Sequence, residues 1–207
     1  SLMGIESLQA LCTEESRQGN FTNEGGYQYR FRYLKNIMGL WMIQSVRHEQ
    51  KDAFSFAQLC EMAAENKTFP SRVDVNDDAF LAPANMTKEI QNYCQNTGQT
   101  VPETIGEISA VIYQSLADCY QKSVSQLEQN TKREYESIHI IGGGSNAAYL
   151  NQLTANATRK IVYAGPSEAT AVGNLMAQMI QEKELENLEE ARKCVFNSFE
   201  IKTYQPK

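Results

Sequence analysis

The sequence predicts an α/β fold, and three observations predict it. Two short apolar segments, Ile138-His139-Ile140-Ile141 and Ile161-Val162-Tyr163, each end in glycines and lead into a stretch of helical length. Successive strand–helix units of this size imply neighbouring parallel strands joined by right-handed crossovers. Ahead of them, Ile105, Ile108, Ile112, Leu116, Cys119, Tyr120, Val124 and Leu127 recur at three- and four-residue steps, the buried stripe of one long helix.

The elements follow in order along the chain. Residues 1–26 read as short strands and turns, because Gly19-Asn20 and Asn23-Glu24-Gly25-Gly26 flank Phe21-Thr22. From Tyr29 the period changes: Leu34, Ile37, Met38, Trp41, Met42 and Val46 predict a helix running to Glu49. Ser55 opens a shorter helix that ends near Asn66. Residues 69–83 hold two prolines and the run Asp74-Val75-Asn76-Asp77-Asp78, an exposed loop. That run opens like a calcium loop, but Ala79 and Asn85 stand where Gly and Glu are needed, so its residues are expected to be solvated turn residues. A helix over 86–95 stops at Gly98, and Thr100, Pro102 and Glu103 predict the cap of the long helix. Helices over 145–158 and 167–182 follow the two strands, and residues 182–190 read as a charged, solvated helical run.

Composition narrows the function. The 207 residues suit one domain, and 42% hydrophobic content supplies a core. With a net charge of −6 and no Lys/Arg block, a long nucleic acid is excluded as the main partner. No apolar stretch approaches the ~20 residues of a membrane helix, and no secretory signal opens the sequence. The five cysteines (Cys12, Cys60, Cys94, Cys119, Cys194) form no C-x-x-C pair and only two histidines accompany them. Reduced thiols in a cytoplasmic protein fit that count better than a zinc site or a disulfide framework.

The strongest local signal for a ligand is Gly142-Gly143-Gly144 between a strand and a helix. Glycines there remove side chains at the carboxyl end of a strand, where open α/β sheets bind ligands, and bring the N–H groups of the next helix within reach. Gly142-x-Gly144-x-x-Ala147 also fits a dinucleotide-binding pattern. That pattern needs an acidic residue at the end of the second strand, which here reads Ala164-Gly165-Pro166. Asn36 and Gln44 lie two turns apart on the predicted first helix. Their amides either bind a sugar or nucleotide, or satisfy local backbone, and the pattern leaves both open. No nucleophile–histidine constellation, H-E-x-x-H or P-loop occurs.

Four segments together resemble the FGGY carbohydrate kinase family. They are Asn23-Glu24-Gly25-Gly26, residues 29–41 (YRFRYLKNIMGLW), Gly142-Gly143-Gly144, and residues 164–170 (AGPSEAT); the stretch from Leu34 to Trp41 is the most specific. The resemblance covers nearly all of 1–207 and implies the C-terminal, nucleotide-binding domain of a two-domain kinase. The implied fold is a ribonuclease-H-like domain of the actin-like ATPase superfamily with helical insertions. It implies ATP and Mg²⁺ as cofactors and the ketose L-rhamnulose as substrate, phosphorylated at its 1-hydroxyl. Gly142 and Gly143 would then belong to an adenosine loop, Gln44 would face the nucleotide, and Asn36 the sugar. The family's catalytic aspartate has no match here, and its Gly-Thr phosphate loop would precede Ser1. The chain alone is therefore expected to be inactive without an N-terminal domain, with an open sheet edge at its first strand. A dinucleotide-binding domain and a non-catalytic actin-like interaction domain are the alternatives.

Overall fold

A computed structural model describes all of residues 1–207. They form two compact units, residues 1–134 and 135–207.

The first unit opens with an antiparallel sheet in the order β1 (Leu2–Ser7), β3 (Phe31–Asn36), β2 (Phe21–Gly25), with a short helix α1 (Glu14–Gln18) between β1 and β2. The helix expected from Tyr29 is therefore wrong in its first half: β3 occupies that stretch, and the helix α2 begins only at Trp41 (Trp41–Glu49). Leu34 and Ile37 fit a helical step, but strands on both sides of β3 take its backbone hydrogen bonds, with Tyr33 opposite Ile5 and Asn23. Tertiary pairing overrides the local period. Tyr33 is wholly buried, its ring stacked on Phe21 at 4.8 Å. Its hydroxyl accepts from Asn130 Nδ2 at 2.9 Å and shares a 2.7 Å hydrogen bond with Ser16 Oγ.

Helices fill the rest of this unit. Helix α3 (Phe56–Glu65) starts at the expected Ser55, which forms a capping box with Gln58. Helix α4 (Met86–Asn96) is capped by Asn85, and the Glu49 carboxylate accepts from the backbone N–H groups of Met86 and Thr87. In the connecting stretch, Asp74, Asn76, Asp77 and Asp78 are exposed as expected, yet Val73, Val75 and Phe80 are buried. The loop is anchored: Val73 N–H donates to Ser115 Oγ at 3.0 Å, and Arg72 donates to the side-chain Oε1 of Gln114 and pairs with Asp118 at 3.3 Å.

The long helix α5 (Ile105–Thr131) is the spine of the core, with Ile108, Ile112, Leu116, Tyr120, Val124 and Leu127 buried along the expected stripe. Full burial of each large aliphatic side chain is worth about 1.5–3 kcal/mol. Its start differs from expectation. Thr104 and Glu107, not Thr100 and Glu103, form the capping box, because the Thr100 and Pro102 carbonyls are held by Ser71 and Gln91 in an extended tether.

In the second unit, β4 (Ser137–Ile140) and β5 (Ile161–Ala164) pair in parallel, from Ser137 opposite Ile161 to Ile140 opposite Ala164. Helix α6 (Ala148–Thr158) makes the crossover and α7 (Ala169–Gln181) follows β5, as the strand–helix alternation predicts. The charged run does not continue as one helix. The chain turns after α7, Asn187 caps a new helix α8 (Leu188–Ser198), and a strand β6 (Lys202–Tyr204) adds antiparallel to β5. The sheet order is β4-β5-β6. All five cysteines are free thiols, and no helix is long and apolar enough to cross a membrane.

Candidate functional site

The glycine triplet stands where β4 ends, and it forms a tight 3₁₀ turn of its own, residues 142–146, before α6. The helix expected from Ser145 therefore starts three residues later, and the triplet presents turn backbone instead of the helix's first N–H groups. Gly142 has φ +71°, a left-handed conformation that disfavours a side chain. Gly143 differs: a Cβ there would meet nothing within 4 Å, so its backbone borders open space. The turn is braced from within. Ser145 Oγ donates to the Gly142 carbonyl at 2.7 Å, and buried Asn151 of α6 donates from Nδ2 to the Ser145 carbonyl at 3.0 Å.

The second glycine motif is tied to the first. Gly142 N–H donates to the Pro166 carbonyl at 3.0 Å, and Gly165 N–H donates to the Ile140 carbonyl at 2.9 Å. Gly165 has φ +129°, and a Cβ on it would stand 2.8 Å from the Glu200 carbonyl oxygen, so the segment before β6 crosses directly over it. These contacts frame a cleft of about 280 Å³ at the carboxyl ends of β4 and β5. Three segments line it: the glycine turn at Ser145 and Asn146, residues 164–168, and Phe199, Glu200 and Lys202. Ligands bind open α/β sheets at such strand ends. Behind the turn, His139 packs against Tyr163 across the β4–β5 pair with tilted rings, centroids 5.1 Å apart. Although the residue is exposed on β4, partial desolvation holds its imidazole below the usual histidine range, and the Arg192 charge adds to that shift.

Asn36 and Gln44 belong to the first unit and not to one helix: Asn36 ends β3 opposite Leu2, and Gln44 lies in the first half of α2. The predicted two-turn spacing between them is therefore replaced by a strand end, the turn over residues 37–40, and a helix. Both side chains are exposed. No three His, Cys, Asp or Glu side chains converge as metal ligands. Sequence reasoning missed Asn151, Phe199 and Lys202. Asn151 had a signal, an amide beside Leu150 on the inward face of its helix; the other two had none, because Phe199 falls just past the end of α8 and Lys202 in a three-residue strand, where no period is readable.

Residues 1–182 match the C-terminal domain of the FGGY family of carbohydrate kinases. The chain is 50% identical over 204 residues to a rhamnulokinase of Halalkalibacterium halodurans, covering 99% of the chain and 44% of that protein. It is 46% identical over 207 residues to one of Bacillus subtilis, covering 100% of the chain and 43% of that protein. A rhamnulokinase of Bacteroides thetaiotaomicron is 42% identical over 206 residues, again covering 100% of the chain and 42% of that protein. The chain thus spans less than half the length of these relatives. It belongs to the FGGY family of carbohydrate kinases, through its C-terminal domain, with an α/β kinase fold of the actin-like ATPase type.

Proposed function

We propose that this member of the FGGY family forms the nucleotide-binding side of an ATP-dependent kinase for the ketose L-rhamnulose. The domain would be ribonuclease-H-like, working against a second domain that carries the sugar and the base. One observation carries the reading: open backbone at Gly143 lies at the carboxyl ends of parallel strands, beside a cleft, in a chain related to rhamnulokinases along its whole length.

In the reaction the ketose 1-hydroxyl oxygen forms a bond to the γ-phosphorus of ATP. The bond from that phosphorus to the β,γ-bridging oxygen breaks, ADP leaves, and the hydroxyl proton passes to a base. Gly142 and Gly143 border the adenosine, Gln44 faces the nucleotide, and Asn36 points to the sugar side. The amides of Asn36 and Gln44 are exposed, which suits ligand contact better than the filling of local backbone needs. Mg²⁺ would neutralise charge on the transferring phosphoryl group. A cation held mostly by phosphates and water needs few protein ligands, which fits a donor set without a three-residue cluster. The general base belongs, in this reading, to the part of the relatives that the chain does not span. Five free thiols suit the cytoplasm.

Calorimetry of MgATP with this chain and with Gly143→Glu tests the reading. A glutamate there fills the open space and sets a carboxylate against the incoming nucleotide. Weak binding by the parent chain is expected, reduced at least roughly tenfold in the variant, since one close like charge costs more than ~1 kcal/mol. Equal affinity in a folded variant sinks it.

A further inference from the structure

The family match ends at residue 182, yet the cleft has a wall from beyond it. Phe199, Glu200 and Lys202 lie outside the matched family domain but inside the region shared with the rhamnulokinases, which align over 99–100% of the chain. Their position is fixed by regular structure. Lys202 stands opposite Ala164 in the β5–β6 register, and Phe199 N–H closes α8 on the Val195 carbonyl at 3.2 Å. Farther along, Gln152 Nε2 donates to the Gln205 carbonyl at 2.8 Å, and Lys207 N–H donates to Asn156 Oδ1 at 3.0 Å, holding the segment to α6. Gly165 admits the crossing, because any side chain there collides with the Glu200 carbonyl.

We infer that Phe199 is a specificity-determining residue of the nucleotide site, its exposed ring giving a stacking face for the purine base. The inference rests on the glycine-turn reading above and deepens it. Two features of the cleft select the base over the phosphates. Its charged side chains are Glu168, Glu200 and Lys202, two carboxylates against one ammonium, which repels a polyphosphate and tolerates a neutral ring. Phe199, 42% exposed, offers the cleft an aromatic face to which every base can stack. Base recognition would then depend on a segment that lies beyond the matched family domain.

The test measures the affinity of the chain for ATP, adenosine and tripolyphosphate in the parent, Phe199→Leu, Phe199→Tyr, Lys202→Gln and Gly143→Glu, with circular dichroism as the folding control. Replacing the ring in Phe199→Leu is expected to weaken adenosine and ATP roughly tenfold, as loss of a base–aromatic stack does, and to leave tripolyphosphate unchanged. Phe199→Tyr keeps the stack and the affinity. If Phe199→Leu folds and binds adenosine like the parent, the inference is overturned, and the glycine-turn reading survives provided Gly143→Glu still loses ATP. If Lys202→Gln weakens tripolyphosphate while Phe199→Leu changes nothing, the cleft takes phosphates and the inference is again wrong. A folded parent chain that binds none of the three probes removes both readings.

Discussion

His139 shows how one residue can carry a readable chemical consequence without being a site. In the sequence it is one of only two histidines, which with five scattered cysteines do not spell a zinc site. The structure places it on β4 against Tyr163, with its pKa lowered by partial desolvation and by Arg192. The unfolded chain therefore binds a proton at a higher pH than the folded one. Stability is fully present above the ordinary histidine value of about 6.5 and falls as pH drops from there through the folded pKa. Urea titrations of the second unit's signals between pH 7.5 and pH 5.5 should show that decline, and His139→Phe, which keeps a ring beside Tyr163, should flatten it. A slope unchanged in the variant assigns the dependence elsewhere. The glycine triplet was legible as a break between a strand and a helix, where it forms a tight turn; its contact with a nucleotide belongs to the proposal. The spacing of Asn36 and Gln44 was read on a helix of which only the second half exists.

At the scale of elements, legibility followed how far each one depends on distant partners. Helix α5 was readable because twenty-seven consecutive residues carry their own period, although from Ile108 to Ala117 the helix is buried all round and not along that stripe alone. Strand β3 was not, since its hydrogen bonds go to β1 and β2, which the local pattern does not encode. Strand β6 has three residues and exists because β5 offers it an edge. The start of α5 is a sharper case, for the sequence offers two T-x-x-E patterns in succession, at Thr100 and at Thr104. Only Thr104 accepts from the N–H of its partner glutamate, at 3.2 Å, while the Glu107 carboxylate accepts from Thr104 N–H at 2.8 Å. Thr104→Ala should therefore destabilise the first unit by about 1 kcal/mol, the usual worth of a side-chain cap. Thr100→Ala keeps the backbone carbonyl that Ser71 uses and should stay within about 0.5 kcal/mol of the parent. Chemical denaturation of both variants decides between the two patterns, and equal losses would mean the cap is shared.

For the whole molecule, the family was readable from four short segments, whereas the composition of the cleft was not, because its third wall arrives from residues 199–202. This matters for activity. Phosphoryl transfer needs a positioned nucleotide, charge neutralisation on the phosphates, and a base for the attacking hydroxyl. On our reading the 207 residues serve the first need, and leave the second to Mg²⁺ and the third to the rest of the kinase. The chain should then bind MgATP and still release no ADP in response to L-rhamnulose, in a coupled assay with a full-length rhamnulokinase as the positive control. Glu168 is the acidic residue to watch, since it stands at the start of α7 with no side-chain cap bond to the helix and lines the cleft. Ketose-dependent ADP release by the chain, lost in Glu168→Gln with MgATP binding intact, would place a working base inside this domain and overturn the division of labour. Binding without turnover supports it, because nucleotide recognition and proton transfer would then sit on separate parts of the enzyme, brought to the same γ-phosphate only when both are present.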